Sequence, residues 1–145
     1  MAELPVTSAW LTCQRPAPHQ RRGRYVPETT SHPAKMLPDL AAHAIAAYTA
    51  PGETVFDPMC GAGTTLVEAV RCGRDAVGVD IESRFTTIAT ANLRLAAADG
   101  ATASGRVITG DATDLVTLLP ARVRGSGVAG VDLAAVRAPH AWPGP

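Results

Sequence analysis

The stretch Asp57-Pro58-Met59-Cys60-Gly61-Ala62-Gly63-Thr64-Thr65 holds the residue types and spacing that could do chemistry. Two glycines one residue apart let a backbone turn tightly and come close to a ligand. A helix beginning directly after them offers free N–H groups and the positive end of its dipole. A dinucleotide fingerprint would want a third glycine at position 66, where Leu66 stands. Asp57 precedes the loop, where it would repel a pyrophosphate but could accept bonds from an ammonium group. Asp80 follows at about the 20-residue spacing of a carboxylate that binds ribose hydroxyls. Together these residues suit a cationic nucleoside better than a dinucleotide, and Leu66 and Asp57 disfavour a nicotinamide dehydrogenase.

The loop needs a strand before it and a helix after it, and the pattern provides both. Thr54-Val55-Phe56 is an apolar run too short for a helix and bounded by turn residues, hence a buried strand. Thr64 to Arg71 reads as a helix stopped by Gly73. Ala76 to Val79 is a second strand. Ser83 is placed to cap a helix with Phe85, Ile88, Ala89, Asn92 and Leu95 on its inner face. Arg106 to Thr109 is a third strand, Asp114 caps a short helix through Leu119, and Val131 to Val136 is a fourth strand. Upstream, Leu37, Leu40, Ala41, Ala44, Ile45 and Tyr48 mark an amphipathic helix that ends near Pro51-Gly52. Strands alternating with helices imply an α/β fold with a parallel, doubly wound sheet.

Residues 1–35 differ in kind. They carry Pro5, Pro16, Pro18, Pro27 and Pro33 with the basic cluster Arg15, Arg21, Arg22 and Arg24, and read as an extended arm lying over the domain or projecting from it. The expected division is this arm, a ligand-binding domain over 36–136 and an irregular tail over 137–145. The arginines could contact phosphates, with Tyr25 available for stacking.

The 13 basic and 13 acidic side chains of the 145-residue chain balance, which argues against nucleic-acid binding by global charge alone. With 46% hydrophobic but only 4% aromatic residues, a core must come from Ala, Val, Leu and Ile. No apolar run approaches the roughly 18 residues of a membrane span. The N-terminus lacks the basic start and apolar core of a signal peptide. Cys13, Cys60 and Cys72 lack metal-ligand spacing, so the expectation is a reduced, cytoplasmic protein that uses no metal.

Asp57 to Thr65 resembles the S-adenosyl-L-methionine loop, Asp-Pro-Phe-Cys-Gly-Ser-Gly-Thr-Thr, of DNA amino-methyltransferases acting on adenine N6 or cytosine N4. Val77-Gly78-Val79-Asp80-Ile81 is similar to their ribose motif, and Gly110-Asp111-Ala112 to their third motif. Ser31-His32-Pro33-Ala34-Lys35 resembles the His-Pro segment that closes over the methionine end of the cofactor. The resemblance covers about residues 25–136 and implies a Rossmann-like class I methyltransferase sheet. It places Asp57, the Gly61–Gly63 backbone and Thr64 near the methionine part, Asp80 on the ribose and Asp111 near the adenine amino group. Alternatives stay open: Asp111 as a helix cap, and His32 and Lys35 as surface-loop residues. Cys60 is expected to be a buried, inert thiol, as the loop cysteine is a small filler in that family.

The resemblance breaks after the fourth strand. The family places Asp, Asn or Ser, then Pro-Pro and an aromatic, to accept the amine's proton and stack the extruded base. Here Arg137-Ala138-Pro139-His140 follows, and only Pro139 fits; Arg137 offers no acceptor. His140 or Trp142 could stack, which is worth only about 1–3 kcal/mol per base. The expectation is a methyltransferase incomplete in its C-terminal half, through truncation or frameshift, with cofactor binding kept and turnover lost. An unpaired fourth strand would also expose an edge that invites self-association. The competing readings are a tRNA guanine-N2 methyltransferase and a non-catalytic fragment that binds cofactor or a partner.

Overall fold

The structure is a computed structural model that describes residues 14–119. Its elements are α1 (Ala17–Arg21), α2 (Pro38–Tyr48), β1 (Thr54–Asp57), α3 (Thr64–Arg71), β2 (Asp75–Asp80), α4 (Ser83–Ala98), β3 (Gly105–Thr109) and α5 (Leu115–Leu118). Turns of 3-10 helix cover Pro27–Ser31 and Ala112–Asp114. The three strands form a parallel sheet in the order β1-β2-β3. Val55 stands beside Ala76 and Phe56 beside Val77, while Gly78 stands beside Val107 and Val79 beside Ile108. This is the Rossmann-like α/β sheet expected from the sequence. The fourth strand, on which the self-association expectation rests, and the segment around Pro139, His140 and Trp142 lie outside the described residues.

Period-two alternation divides the core between the two sheet faces. Val55 and Ala76 share one buried cluster with Leu66, Val67 and Val70 of α3, Ile45 of α2 and Ala96 of α4. Phe56, Val77 and Val79 face the other way and pack with Leu115 of α5 and Leu119. Helices therefore cover both faces. Gly78 is required by this packing: a Cβ there would lie 2.6 Å from Leu66 Cδ1 and 2.8 Å from Cys60 Sγ. Among the described residues, no helix is long and apolar enough to cross a membrane.

Two local expectations change. Ser83 does not cap α4 with its side chain; Glu82 holds the N-cap position and Ser83 is already helical. Asp80 Oδ1 accepts the Glu82 N–H at 3.0 Å and so secures that helix start instead. Tyr48, expected on the inner face of α2, is 59% exposed, because the helix buries only Pro38, Ala41 and Ile45.

The described part of the arm is not extended. It folds into α1 and the Pro27–Ser31 turn and lies against the domain, with Gln20, Tyr25 and Thr29 buried. Partners distant in sequence hold it there. Gln20 Oε1 accepts the Asp39 N–H at 2.9 Å, and Tyr25 donates to Glu68 Oε1 at 2.6 Å. Arg24 pairs with Glu68, whose side chain is 3% exposed.

Candidate functional site

Asp57 ends β1, Asp80 ends β2 and Asp111 follows β3, so all three carboxylates stand at the carboxyl ends of parallel strands. Open α/β sheets bind ligands at that edge. Asp57 Oδ1 accepts the Met59 N–H at 3.1 Å, which starts the turn out of β1. The Cys60 N–H donates to the Val79 carbonyl at 2.9 Å and fastens the loop to β2. Gly61 and Gly63 then take φ values of 51° and 83°, in the left-handed region that favours glycine. Gly63 is the N-cap residue of α3, so the loop ends on the free N–H groups of a helix start.

Asp80 organises this loop. Its Oδ2 accepts the Gly61 N–H at 2.8 Å while its Oδ1 accepts from Glu82. An ionised carboxylate has about four acceptor sites, so two such bonds leave capacity for ligand hydroxyls. The segment leading to Asp111 joins the same strand end, since the Gly110 N–H donates to the Asp80 carbonyl at 3.0 Å.

Asp111 itself is exposed. Its Oδ1 accepts both the N–H and the hydroxyl of Thr113 at 2.8 Å each, and these bonds hold its carboxyl below the usual carboxylate range. The capping alternative is thus present, on a 3-10 turn.

Space is tight over the glycines. A Cβ on Gly61 would come 2.6 Å from His32 Nε2, and one on Gly63 would come 2.9 Å from the Ala89 Cβ. His32 packs edge-on to Phe85, with centroids 4.3 Å apart, so the His-Pro segment closes over the loop. Its Nδ1 is buried without a partner among the described residues. Lys35 instead donates to the carbonyls of Thr30 and His32 in its own turn. Thr64 is buried and its hydroxyl accepts from Arg21 at 3.2 Å, so its side chain serves the arm.

Cys60 is buried beneath the loop. Burial first, then the neighbouring Asp57 and Asp80 charges, push its thiol up to about 12. A thiol held protonated is a poor nucleophile, in accord with the inert filler.

The basic cluster is largely engaged within the protein, although Arg15 remains exposed. Arg15 makes a two-pronged bond to Asp39, Arg21 lies over the Tyr25 ring at 4.7 Å, and Arg24 is spent on Glu68. Burial lowers the pKa of Arg21. Arg22 stays exposed. Tyr25 is not available for stacking on a base; burial and the adjacent Glu68 carboxylate raise its phenol pKa.

Two functional side chains escape a motif reading. Glu68, 2% exposed, anchors the arm to α3. Asn92, fully buried, donates to the Ala62 carbonyl at 2.9 Å and also bonds the arm. The available signal was a polar residue at a helical inner-face position among apolar neighbours. Large apolar side chains also stand exposed next to site residues in the chain: Met59 at 73% and Ile81 at 68%.

Sheet order, left-handed glycine loop and strand-end carboxylates define a Rossmann-like domain with a candidate ligand site at its carboxyl edge. The chain belongs to the DNA methylase family, which it matches over residues 2–91. It is 39% identical over 62 residues to Type II methyltransferase M2.DpnII of Streptococcus pneumoniae, which covers 43% of this chain and 23% of that protein. It is 40% identical over 63 residues to tRNA (guanine(10)-N2)-dimethyltransferase of Methanocaldococcus jannaschii, covering 43% and 18% respectively. The matched stretches are thus about a fifth of those relatives' own lengths. Membership in a methylase family calls for a methyl donor.

Proposed function

We propose that the chain provides the cofactor site of an S-adenosyl-L-methionine-dependent methyltransferase acting on an exocyclic amine of DNA, adenine N6 or cytosine N4. The observation that carries this is the bond from the Gly61 N–H to Asp80, which joins the glycine loop to the ribose carboxylate. The residues suit the group: Gly61 and Gly63 turn the loop through left-handed φ values onto a helix start, and Asp80 retains acceptor capacity. Asp57 would accept from the ammonium of the methionine part, and the backbone of Gly61, Gly63 and Thr64 would line it. Asp80 would take the ribose hydroxyls and Asp111 the adenine amino group. Exposed Ile81, next to Asp80, offers an apolar surface for the base. Bound there, the cofactor supplies a methyl group made electrophilic by its sulfonium. The chain's own part is to orient that group and, through His32 and Phe85, to exclude water from the loop.

Calorimetry with millimolar S-adenosylmethionine tests the site; absence of heat overturns it. Transfer of tritiated methyl to DNA but not to tRNA supports the substrate. The comparable identity to the tRNA dimethyltransferase motivates the second reading, a tRNA guanine-N2 substrate, which the opposite result would favour. Binding with no transfer to either favours a non-catalytic role.

A further inference from the structure

The side chain of Asn92 reaches three residues on two chain segments at once. Its Oδ1 accepts the Val26 N–H at 2.8 Å, and its Nδ2 donates to Thr29 Oγ1 at 2.8 Å and to the Ala62 carbonyl at 2.9 Å. Thr29 Oγ1 also lies 3.2 Å from Oδ1. An amide group has two donors and one doubly accepting oxygen, so these contacts satisfy it. Asn92 is 0% and Thr29 1% exposed, so water cannot replace a lost partner without opening the core.

The bond to Ala62 falls on the peptide between the two sharply turned glycine regions. The N–H end of that peptide, at Gly63, donates to the Cys60 carbonyl at 2.8 Å. With Asn92 on the carbonyl end, the peptide plane is held from both sides. One helical turn earlier on α4, Ala89 fills the space beside Gly63. The loop's shape is therefore set partly by α4, and the arm is tied to the same side chain.

We propose that Asn92 is a positioning residue that couples the arm turn Pro27–Ser31 to the glycine loop, so that ordering either one favours the other. Coupling of this kind is reciprocal: a ligand that fixes the loop also tightens the arm, and loosening the arm weakens the ligand. The choice of ligand rests on the cofactor reading above. A merely structural Asn92 would make the arm and loop respond independently.

The test uses the full chain and disturbs the arm end alone. Thr29→Val removes the hydroxyl at nearly constant volume and keeps the Asn92 bond to Ala62. Hydrogen exchange at the amides of Gly61, Ala62 and Gly63 is expected to speed up, and S-adenosylmethionine affinity to fall by about five- to tenfold, the lower range of measured site couplings. Thr29→Ser, which restores a hydroxyl, should recover both. Asn92→Asp keeps the acceptors for the arm but loses the donor to Ala62, and should speed loop exchange as well. If Asn92→Asp fails to fold, the Thr29 pair still decides. Faster exchange confined to the arm, with loop exchange and affinity unchanged in Thr29→Val, overturns the coupling. Coupled exchange in a chain that gives no heat with S-adenosylmethionine supports the coupling and overturns the cofactor reading instead.

Discussion

Asp80 Oδ2 lies 2.8 Å from the Gly61 nitrogen, so the carboxylate at the end of β2 fixes the loop that follows β1. The residue expected to meet a ribose therefore already shapes the loop before any ligand arrives. Charge-assisted bonds of this type are roughly twice as strong as neutral ones. Loop and carboxylate act as one unit.

Asp80→Ala should remove both roles together. Calorimetry is expected to show S-adenosylmethionine affinity lowered by at least about tenfold, equivalent to 1.4 kcal/mol. Unchanged affinity would separate Asp80 from the ligand site.

Gly78→Ala should destabilise the fold directly. The new methyl would lie within 2.6–2.8 Å of Leu66 Cδ1, Cys60 Cβ and Cys60 Sγ. Overpacking of this kind costs about 1–3 kcal/mol. Urea unfolding should show a lower midpoint at an unaltered slope.

Cys60 should resist alkylation. At pH 8 in native buffer, mass spectrometry of its peptide is expected to show no iodoacetamide adduct, and urea should restore labelling. Burial, with the Asp57 and Asp80 charges, pushes its thiol up to about 12 from the ordinary 9.0. A raised folded pKa means the unfolded chain releases the proton first. This contribution to stability is complete below pH 9 and declines as pH rises from about 9 towards 12.

Tyr25→Phe should loosen the arm. It deletes the 2.6 Å bond to Glu68 and leaves a carboxylate oxygen of a residue only 2% exposed without that donor. An unsatisfied buried group costs about 1–3 kcal/mol, which a urea titration would resolve. Wild-type stability in this variant would show that the bond contributes nothing net.

Short apolar runs between turn residues made β1 and β2 legible to within a residue or two, because their central residues are buried, and β3 was legible from Val107-Ile108 although it is only half-buried there. The glycine loop was equally plain, since φ values of 51° and 83° select glycine locally. What stayed hidden depends on distant partners. Arg24 and Tyr25 turn inward only because Glu68 waits 43 or 44 positions away, and Thr29 is buried only because Asn92 is there. A local reading of four arginines and several prolines therefore gives an extended arm. Ser83 misled for the opposite reason: a favourable cap residue was present, but Asp80 already held the helix start. The family motifs indicated the strand-end aspartates, yet gave no hint that Thr64 would turn its hydroxyl to Arg21.

The seat of the arm also imposes an order of events on the ribosome. Val26 and Thr29 are synthesised 66 and 63 residues before the Asn92 that holds them. At about 5–20 residues per second, the arm must wait several seconds for its partner to be made. The arm thus leaves the ribosome before the residues that seat it exist, and until Glu68 follows, the Tyr25 hydroxyl lacks its buried partner.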